Sequence, residues 1–304
     1  MQLNRRDFLK ASAGVGGLVL LQPAVLAATN EFPNTSAPQS DIAMLVDASK
    51  CIGCWWCYAA CKNYNKLPET IKPDPEQAPE LSPDVWTTLH TTKRDGEWIF
   101  RKQACNHCTD AACVEVCPTG ALSRNKLGFI QYDKDKCSGC GYCAEFCPFG
   151  VPQLDSNKLT GAAVMDKCTF CIERVTNDQQ PACAEACPTG AIKFGRRSEL
   201  LEEGKQRVAE LNNISSKGYL YGENELGGLH VMYVLDDSPE SYGLPAAPQV
   251  PPTSIVRNVF QWVGIGGLVA IVAGFGLNYI IAREAKITSE LPGKEQMGRG
   301  KRNG

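Results

Sequence analysis

Histidine is nearly absent from this chain: His90, His107 and His230 are the three in 304 residues. Imidazole cannot be the main ligand of several metals at that number. Blocks of like charge are also missing, and the formal net charge is −2. Nucleic acid demands a basic surface, so no nucleic-acid partner is expected. There is no phosphate-binding glycine loop, no nucleophile paired with a base, and no set of converging carboxylates. The chain is therefore not expected to be an enzyme on its own. From Asn258 to Ala282, 25 residues carry no charged side chain.

Cysteine is abundant, at sixteen residues, and 43% hydrophobic content allows a core. The near-neutral charge hides a gradient. The first 27 residues carry +2, the tail after Ala282 carries +3, and the body between carries −7. Each basic end adjoins an apolar run.

The N-terminal end reads "NRRDFLKASAGVGGLVLLQPAVLAA". A charged start, an apolar stretch and small residues near Ala27 fit an export signal over residues 1–27. Arg5–Arg6 followed by Asp7, Phe8, Leu9 and Lys10 resembles the twin-arginine type. That route carries folded proteins, which suits cofactors inserted before export. At the other end, residues 258–282 are long enough to cross a bilayer, which takes roughly 20 apolar residues. A Pro-rich linker over 243–257 precedes the span. The basic tail, 283–304, predicts a cytoplasmic C-terminus. The cysteine region then lies on the periplasmic side of the inner membrane, on a single-pass protein. Gly266, Ala270 and Gly274 form a small-residue ridge on which another membrane helix can pack.

The cysteines fall into four groups of four. Cys51, Cys54, Cys57 and Cys61 are spaced x2, x2, x3, and Cys137, Cys140, Cys143 and Cys147 repeat that spacing. Cys105, Cys108, Cys113 and Cys117 are spaced x2, x4, x3; Cys168, Cys171, Cys183 and Cys187 are spaced x2, x11, x3. Three groups end in Cys-Pro, and "CPTGA" occurs twice. This is an internal repeat. In C-x2-C-x2-C-x3-C-P, the first three cysteines wrap one corner of an iron–sulfur cube. The fourth lies about one helical turn further on, points away, and ligates a second cluster. Proline after it stops the helix, and glycine two residues later permits a turn. Pairing must be reciprocal. The second and third groups are neighbours across a hairpin, "ALSRNKLGFIQYD", which leaves the first and fourth for each other. Eight disulfides or zinc sites are the competing uses of these thiols. Cysteines three apart bridge poorly, and zinc does not explain a shared fourth ligand.

On "CIGC", "CNHCTDAAC", "CSGCGYCAEFCPFGVPQLD" and "KCTFCIERV…PACAEACPTGAIKFG", the chain resembles the four-cluster iron–sulfur subunits of membrane oxidoreductases. The likeness runs from about residue 43 to 282 and looks greatest to beta subunits of respiratory formate dehydrogenase. Hydrogenase and sulfur- or nitrogen-compound reductase subunits are near relatives. The resemblance implies an α+β fold: two tandem bacterial-ferredoxin-like (βαββαβ-type) modules with inserted hairpins and loops, over 43–197. A helix and strand extension, 198–242, and one transmembrane helix follow. It also implies four [4Fe-4S] clusters. One takes Cys51, Cys54, Cys57 and Cys187; the second Cys168, Cys171, Cys183 and Cys61. The third takes Cys105, Cys108, Cys113 and Cys147; the fourth Cys137, Cys140, Cys143 and Cys117. The implied function is electron relay between a catalytic molybdenum or tungsten subunit and a membrane cytochrome b-type or other quinone-reactive subunit. The alternative is a relay for nickel–iron hydrogenase large and small subunits, or for a molybdopterin reductase. An export signal on this chain itself is the hydrogenase-type arrangement. A disulfide- or zinc-stabilised envelope protein is the reading from another class.

Among supporting residues, Lys50, Lys136 and Lys167 each precede a first cysteine and are candidates to raise cluster potentials. Trp55 and Trp56 are expected to pack around a cube; the alternative places one of them at a subunit contact. His107, inside a ligand loop, is read as a non-ligand. "VWTTLHT" and "EWIFRKQ" predict a hairpin, "SELLEEGKQRVAELNN" an amphipathic helix with a solvated charged face, and "LHVMYVL" a strand. Residues 62–84 read as a loop.

Overall fold

A computed structural model describes residues 41–68, 72–156, 163–214, 217–250 and 253–290. The export signal and most of the basic tail lie outside the described residues. The chain divides into one unit ending at Val250 and another starting at Pro251.

The first unit is organised by a four-stranded sheet. Its members are β1 (Ile42–Asp47), β8 (Ile192–Arg196), β9 (Tyr219–Tyr221) and β10 (Val231–Leu235), in the order β8-β1-β10-β9. β1 and β10 run parallel at the centre, and the outer strands pair antiparallel to them. All five residues of β10 are buried. That explains its unbroken apolar sequence, since a central parallel strand is covered on both faces. The "LHVMYVL" strand is therefore present, and residues 198–242 complete the sheet begun by β1.

Side chains alternate across a strand, so the two faces have different neighbours. Ala43, Leu45, Met232 and Val234 pack with Leu200 and Leu211 of helix α6 (Arg197–Ile214). Gly204 lets that helix approach closely, because a Cβ there would lie 2.8 Å from Leu220 Cδ1. Met44, Val46, Val231 and Tyr233 face the other way, into a core shared with Trp55, Cys57, Phe170 and Cys183. The cysteine loops thus share the principal hydrophobic core. The charged face of α6 is not wholly solvated: Arg207 Nε donates to Asp47 Oδ2 at 3.0 Å and fastens the helix to the end of β1.

Three hairpins are inserted. β2 (Thr88–Arg94) and β3 (Glu97–Gln103) turn on Asp95 and Gly96, both at positive φ, as a two-residue hairpin favours. This is the predicted "VWTTLHT"–"EWIFRKQ" hairpin. β4 (Leu122–Arg124) pairs with β5 (Ile130–Tyr132), the hairpin read between the second and third cysteine groups. β6 (Gln153–Ser156) and β7 (Ala163–Asp166) form a third that the sequence reading did not identify.

The described residues of the second unit form one helix, α7 (Thr253–Glu290). It is longer than the uncharged run, and its segment Gly266–Glu284 has mean hydropathy 1.5, enough to cross a membrane by length and composition.

Candidate metal centres

Two of the four cysteine loops are built alike, for a reason visible in their sequences. Asp47 accepts the Ser49 amide at 3.1 Å and caps a short 3-10 turn that delivers Cys51. Asp133 accepts the Asp135 amide at 3.1 Å and caps the turn that delivers Cys137. Gly53 and Gly139 then reverse the chain at φ +64 and +68. Helix α1 (Trp56–Tyr64) starts behind Trp55, and helix α3 (Tyr142–Glu145) behind Gly141; both preceding residues are left-handed. Trp55 accepts at φ +67 a conformation that glycine takes freely, and it is 2% exposed. A strained, buried aromatic at a loop of cysteines is the pattern expected of a functional site.

Each fourth cysteine lies one helical turn beyond the third. Cys61 is in α1, and Cys147 follows α3. Cys117 follows α2 (Ala112–Glu115), and Cys187 follows α5 (Ala182–Glu185), which is preceded by the single turn α4 (Ile172–Val175). Proline ends three of the helices, and Gly120, Gly150 and Gly190 make the turns at φ +66, +59 and +64. The repeated "CPTGA" has a second effect. The hydroxyls of Thr119 and Thr189 lie 3.7 Å from the sulfurs of Cys117 and Cys187. Burial raises the Cys117 pKa, but the amides of Leu122, Thr119 and Ala121 with the Thr119 hydroxyl carry it below its ordinary value. The same kind of turn aims the Val151, Phe149 and Gly150 amides at Cys147.

These helices bring thiols from different groups together. One cavity is lined by Cys51, Cys54, Cys57 and Cys187. A second is lined by Cys61, Cys168, Cys171 and Cys183. A third is lined by Cys117, Cys137, Cys140 and Cys143. The remaining four interact with one another: Cys108 feels Cys105, Cys147 and Cys113. All sixteen thiols are free of disulfides. Among the described residues, no three His, Cys, Asp or Glu groups gather closely enough to hold one ion. A tetrahedral zinc needs its sulfurs roughly 3.8 Å apart, given Zn–S near 2.3 Å. A cube spreads four thiolates more widely.

Burial pushes the thiols up: Cys61, Cys113 and Cys171 to about 12, Cys105 and Cys143 to about 11. Without metal these sulfurs keep their protons, so metal binding releases protons. Four buried polar atoms among the described residues have no hydrogen-bond partner: Trp55 Nε1, His107 Nε2, Thr109 Oγ1 and Tyr132 Oη. Three of them lie within or directly beside a cysteine loop. Burial, then the Cys137 thiol, raises the Tyr132 pKa, and the Tyr132 hydroxyl makes no hydrogen bond among the described residues. Unpartnered donors within and beside these loops suit the sulfurs of a cube, so the residues fit an iron–sulfur group.

The three lysines named from sequence separate. Lys50 and Lys136 are exposed and pair with Asp47 and Asp133. Lys167 is 1% exposed and donates to the carbonyls of Ile130 and Cys168, both at 3.1 Å. Trp55 is buried and Trp56 is 62% exposed. His107 is fully buried; its Nδ1 accepts the Ile130 amide. Sequence reasoning missed Lys102, at the end of β3 and 2% exposed, which lines the Cys51 cavity. It also missed Tyr132. Position in the chain marks neither residue, but three successive buried residues in β3, Phe100 to Lys102, break the alternation of a hairpin strand.

Comparison with known proteins gives the domain type and the family. Two matches to a 4Fe-4S dicluster domain cover residues 50–121 and 96–197, and a twin-arginine translocation signal matches residues 2–21. The chain is 38% identical to the iron–sulfur subunit of the nitrate-inducible formate dehydrogenase of Escherichia coli K12, over 80% of this chain and 85% of that protein. It is 38% identical to the formate dehydrogenase iron–sulfur subunit of Haemophilus influenzae, over 80% and 81%. A hydrogenase-2 operon protein of Escherichia coli O157:H7 is 33% identical over 93% and 96%. The sixteen thiols, the tandem ferredoxin-like arrangement and these likenesses have one meaning: the chain belongs to the family of 4Fe-4S electron-transfer subunits of membrane oxidoreductases.

Proposed function

We propose that this chain is the iron–sulfur subunit of an exported, membrane-bound formate dehydrogenase. It relays electrons through four [4Fe-4S] clusters. The observation that carries this reading is that three separate cavities are each lined by four cysteines drawn from two groups. We assign the first cluster to Cys51, Cys54, Cys57 and Cys187, and the second to Cys168, Cys171, Cys183 and Cys61. The third belongs to Cys105, Cys108, Cys113 and Cys147, the fourth to Cys137, Cys140, Cys143 and Cys117. Each cluster supplies a one-electron carrier; the protein supplies thiolates, donors to sulfur, and a dry shell that restricts water. Every fourth cysteine lies in, or just beyond, the helix that carries a ligand of the neighbouring cluster, which keeps members of a pair close.

Residues 1–27 act as the signal and 43–197 carry the clusters. Residues 198–242 complete the sheet, and 243–257 link to a span at 258–282 with a cytoplasmic tail, 283–304. Basic residues beyond the span support that orientation. The partners are a catalytic molybdenum or tungsten subunit and a membrane cytochrome b-type or other quinone-reactive subunit. One observation favours a second reading, a nickel–iron hydrogenase relay: the chain has its own twin-arginine signal, and its likeness to the hydrogenase-2 operon protein covers 93% of its length.

The test is purification of the full-length protein from gently solubilised membranes. About sixteen irons per chain, with matching sulfide, are expected from four cubes. A co-purifying molybdenum or tungsten protein supports the formate reading, and a nickel–iron protein the second. Iron near zero ends both.

A further inference from the structure

The buried cations of the first unit differ in what they hold. Lys62 Nζ donates to the carbonyls of Pro68 and Asp84. Arg101 donates to the carbonyls of Tyr242 and Lys102. Lys167 donates to Ile130 and Cys168 carbonyls. Each is accounted for by the fold. Lys102 is as deeply buried, and among the described residues it forms no salt bridge to a carboxylate. A buried ammonium is costly unless an anion compensates it. The neighbours of Lys102 are thiols from two cysteine groups, with Tyr233 and apolar side chains. It lines the cavity of Cys51, Cys54, Cys57 and Cys187. Its charge also acts on Cys183, Cys168 and Cys57, and on Cys61 and Cys171. Two of those five, Cys57 and Cys61, are on α1, and Cys183 is on α5, the two helices that exchange fourth ligands. Lys102 therefore stands at the seam between the first and fourth cysteine groups. No lysine is among the main influences on Cys143, in the Cys137 group.

We propose that Lys102 is a shared counter-cation: one buried ammonium that raises the reduction potentials of the Cys51 and Cys168 clusters together and leaves the Cys137 cluster unaffected. The inference rests on the cluster assignment above. Reduction adds one negative charge to a cube, and a fixed cation in a dry interior stabilises the reduced state more than the oxidised one. A cation between two cubes also lessens their repulsion. When one has been reduced, the second still has a positive neighbour. Electrons then cross this pair without a large step in potential.

The test uses full-length protein solubilised from membranes, with potentials read by redox titration under electron paramagnetic resonance. Signals are assigned with Cys54→Ser, Cys171→Ser and Cys140→Ser variants. Lys102→Met keeps the bulk and removes the charge. With iron retained, both the Cys51 and Cys168 clusters should become harder to reduce by at least about tenfold, about 59 mV for a one-electron couple. The Cys137 cluster should stay where it was. Two unmoved potentials, or movement of only one, overturn the proposal while the iron content leaves the cluster reading intact. If Lys102→Met loses iron, Lys102→Arg decides. Iron and potentials kept with arginine support a requirement for charge; iron lost there too assigns Lys102 a packing role and overturns it. Unaltered protein without iron overturns both readings.

Discussion

The backbone amide of Ile130 donates to Nδ1 of His107 at 3.1 Å, and that bond fixes the imidazole tautomer. The proton of the neutral ring is left on Nε2, which is buried and has no partner among the described residues. Burial, then Lys167, His230 and Lys102, hold the His107 pKa far below its ordinary value, so the ring stays a neutral donor. It lies between Cys105 and Cys108, packed edge-on against Phe129 and Phe170. His107→Phe preserves the aromatic packing and removes both nitrogens. The Ile130 amide then loses its acceptor, at a cost of about 1–3 kcal/mol. The cluster of Cys105 loses a donor and should become harder to reduce. Redox titration with thermal unfolding checks both, and an unmoved potential would show that Nε2 does not address the cluster.

The "CPTG" threonines make a narrower prediction. Thr189 Oγ1 lies 3.7 Å from Cys187 Sγ, and Thr119 stands the same way to Cys117. Thr189→Val keeps the shape and deletes the hydroxyl. The potential of the Cys51 cluster should fall, with a small loss of stability because Thr189 Oγ1 also accepts the Ala191 amide at 3.3 Å. Thr119→Val should lower the Cys137 cluster instead. Equal shifts at both clusters from either variant would contradict the exchange of fourth ligands.

Gly53 has a steric role. Its φ is +64, and a Cβ there would lie 2.3 Å from the Phe100 ring. Gly53→Ala costs about 1–2 kcal/mol from left-handed backbone alone, and the ring must also move. Since Phe100 is in the core that holds Cys57, the expected result is loss of the Cys51 cluster, four irons of about sixteen. Gly96→Ala, at a turn with nothing within 4 Å, should keep its iron.

Acid should weaken the fold through histidine before it reaches the carboxylates. Burial, then Arg101, lowers the His90 pKa. Burial lowers the His230 pKa although Asp41 Oδ2 lies 3.0 Å from Nε2. In both, the folded value lies below the unfolded one of about 6.5. As pH falls through that value the unfolded chain takes protons that the folded chain refuses, so stability declines below about pH 6.5. Thermal midpoints measured from about pH 7.5 to 5.5 should fall, and less so in His90→Gln. A flat profile for the unaltered protein would contradict the lowered values.

Much of this was legible because cysteine spacing is covalent arithmetic. Three thiols on a loop and a fourth one helical turn later cannot face one centre, whatever surrounds them. The Asp95–Gly96 turn and the apolar run of β10 were legible for equally local reasons. The β6–β7 hairpin was not, since its short strands carry no clean alternation. Lys102 was not, because its meaning depends on Cys57 and Cys183, 45 and 81 positions away in sequence. Lys50, Lys136 and Lys167 look alike in sequence. An aspartate three residues before Lys50 and Lys136 takes those two to the surface, and Lys167 lacks one.

The proposed exchange of fourth ligands permits the most direct test. Cys183 and Cys187 are four residues apart on and just after α5, yet they line different cavities. Cys187 lies with Cys51, Cys54 and Cys57, while Cys183 lies with Cys61, Cys168 and Cys171. Cys187→Ala should therefore disturb a cluster whose other ligands are 130 or more residues earlier in sequence and spare the one beside it. Its spectrum should lose the signal that Cys54→Ser also removes. Cys183→Ala should lose the signal that Cys171→Ser removes. If Cys187→Ala instead abolished only the Cys171 signal, each group would be closing on its own cluster, and the helices would not couple neighbouring centres.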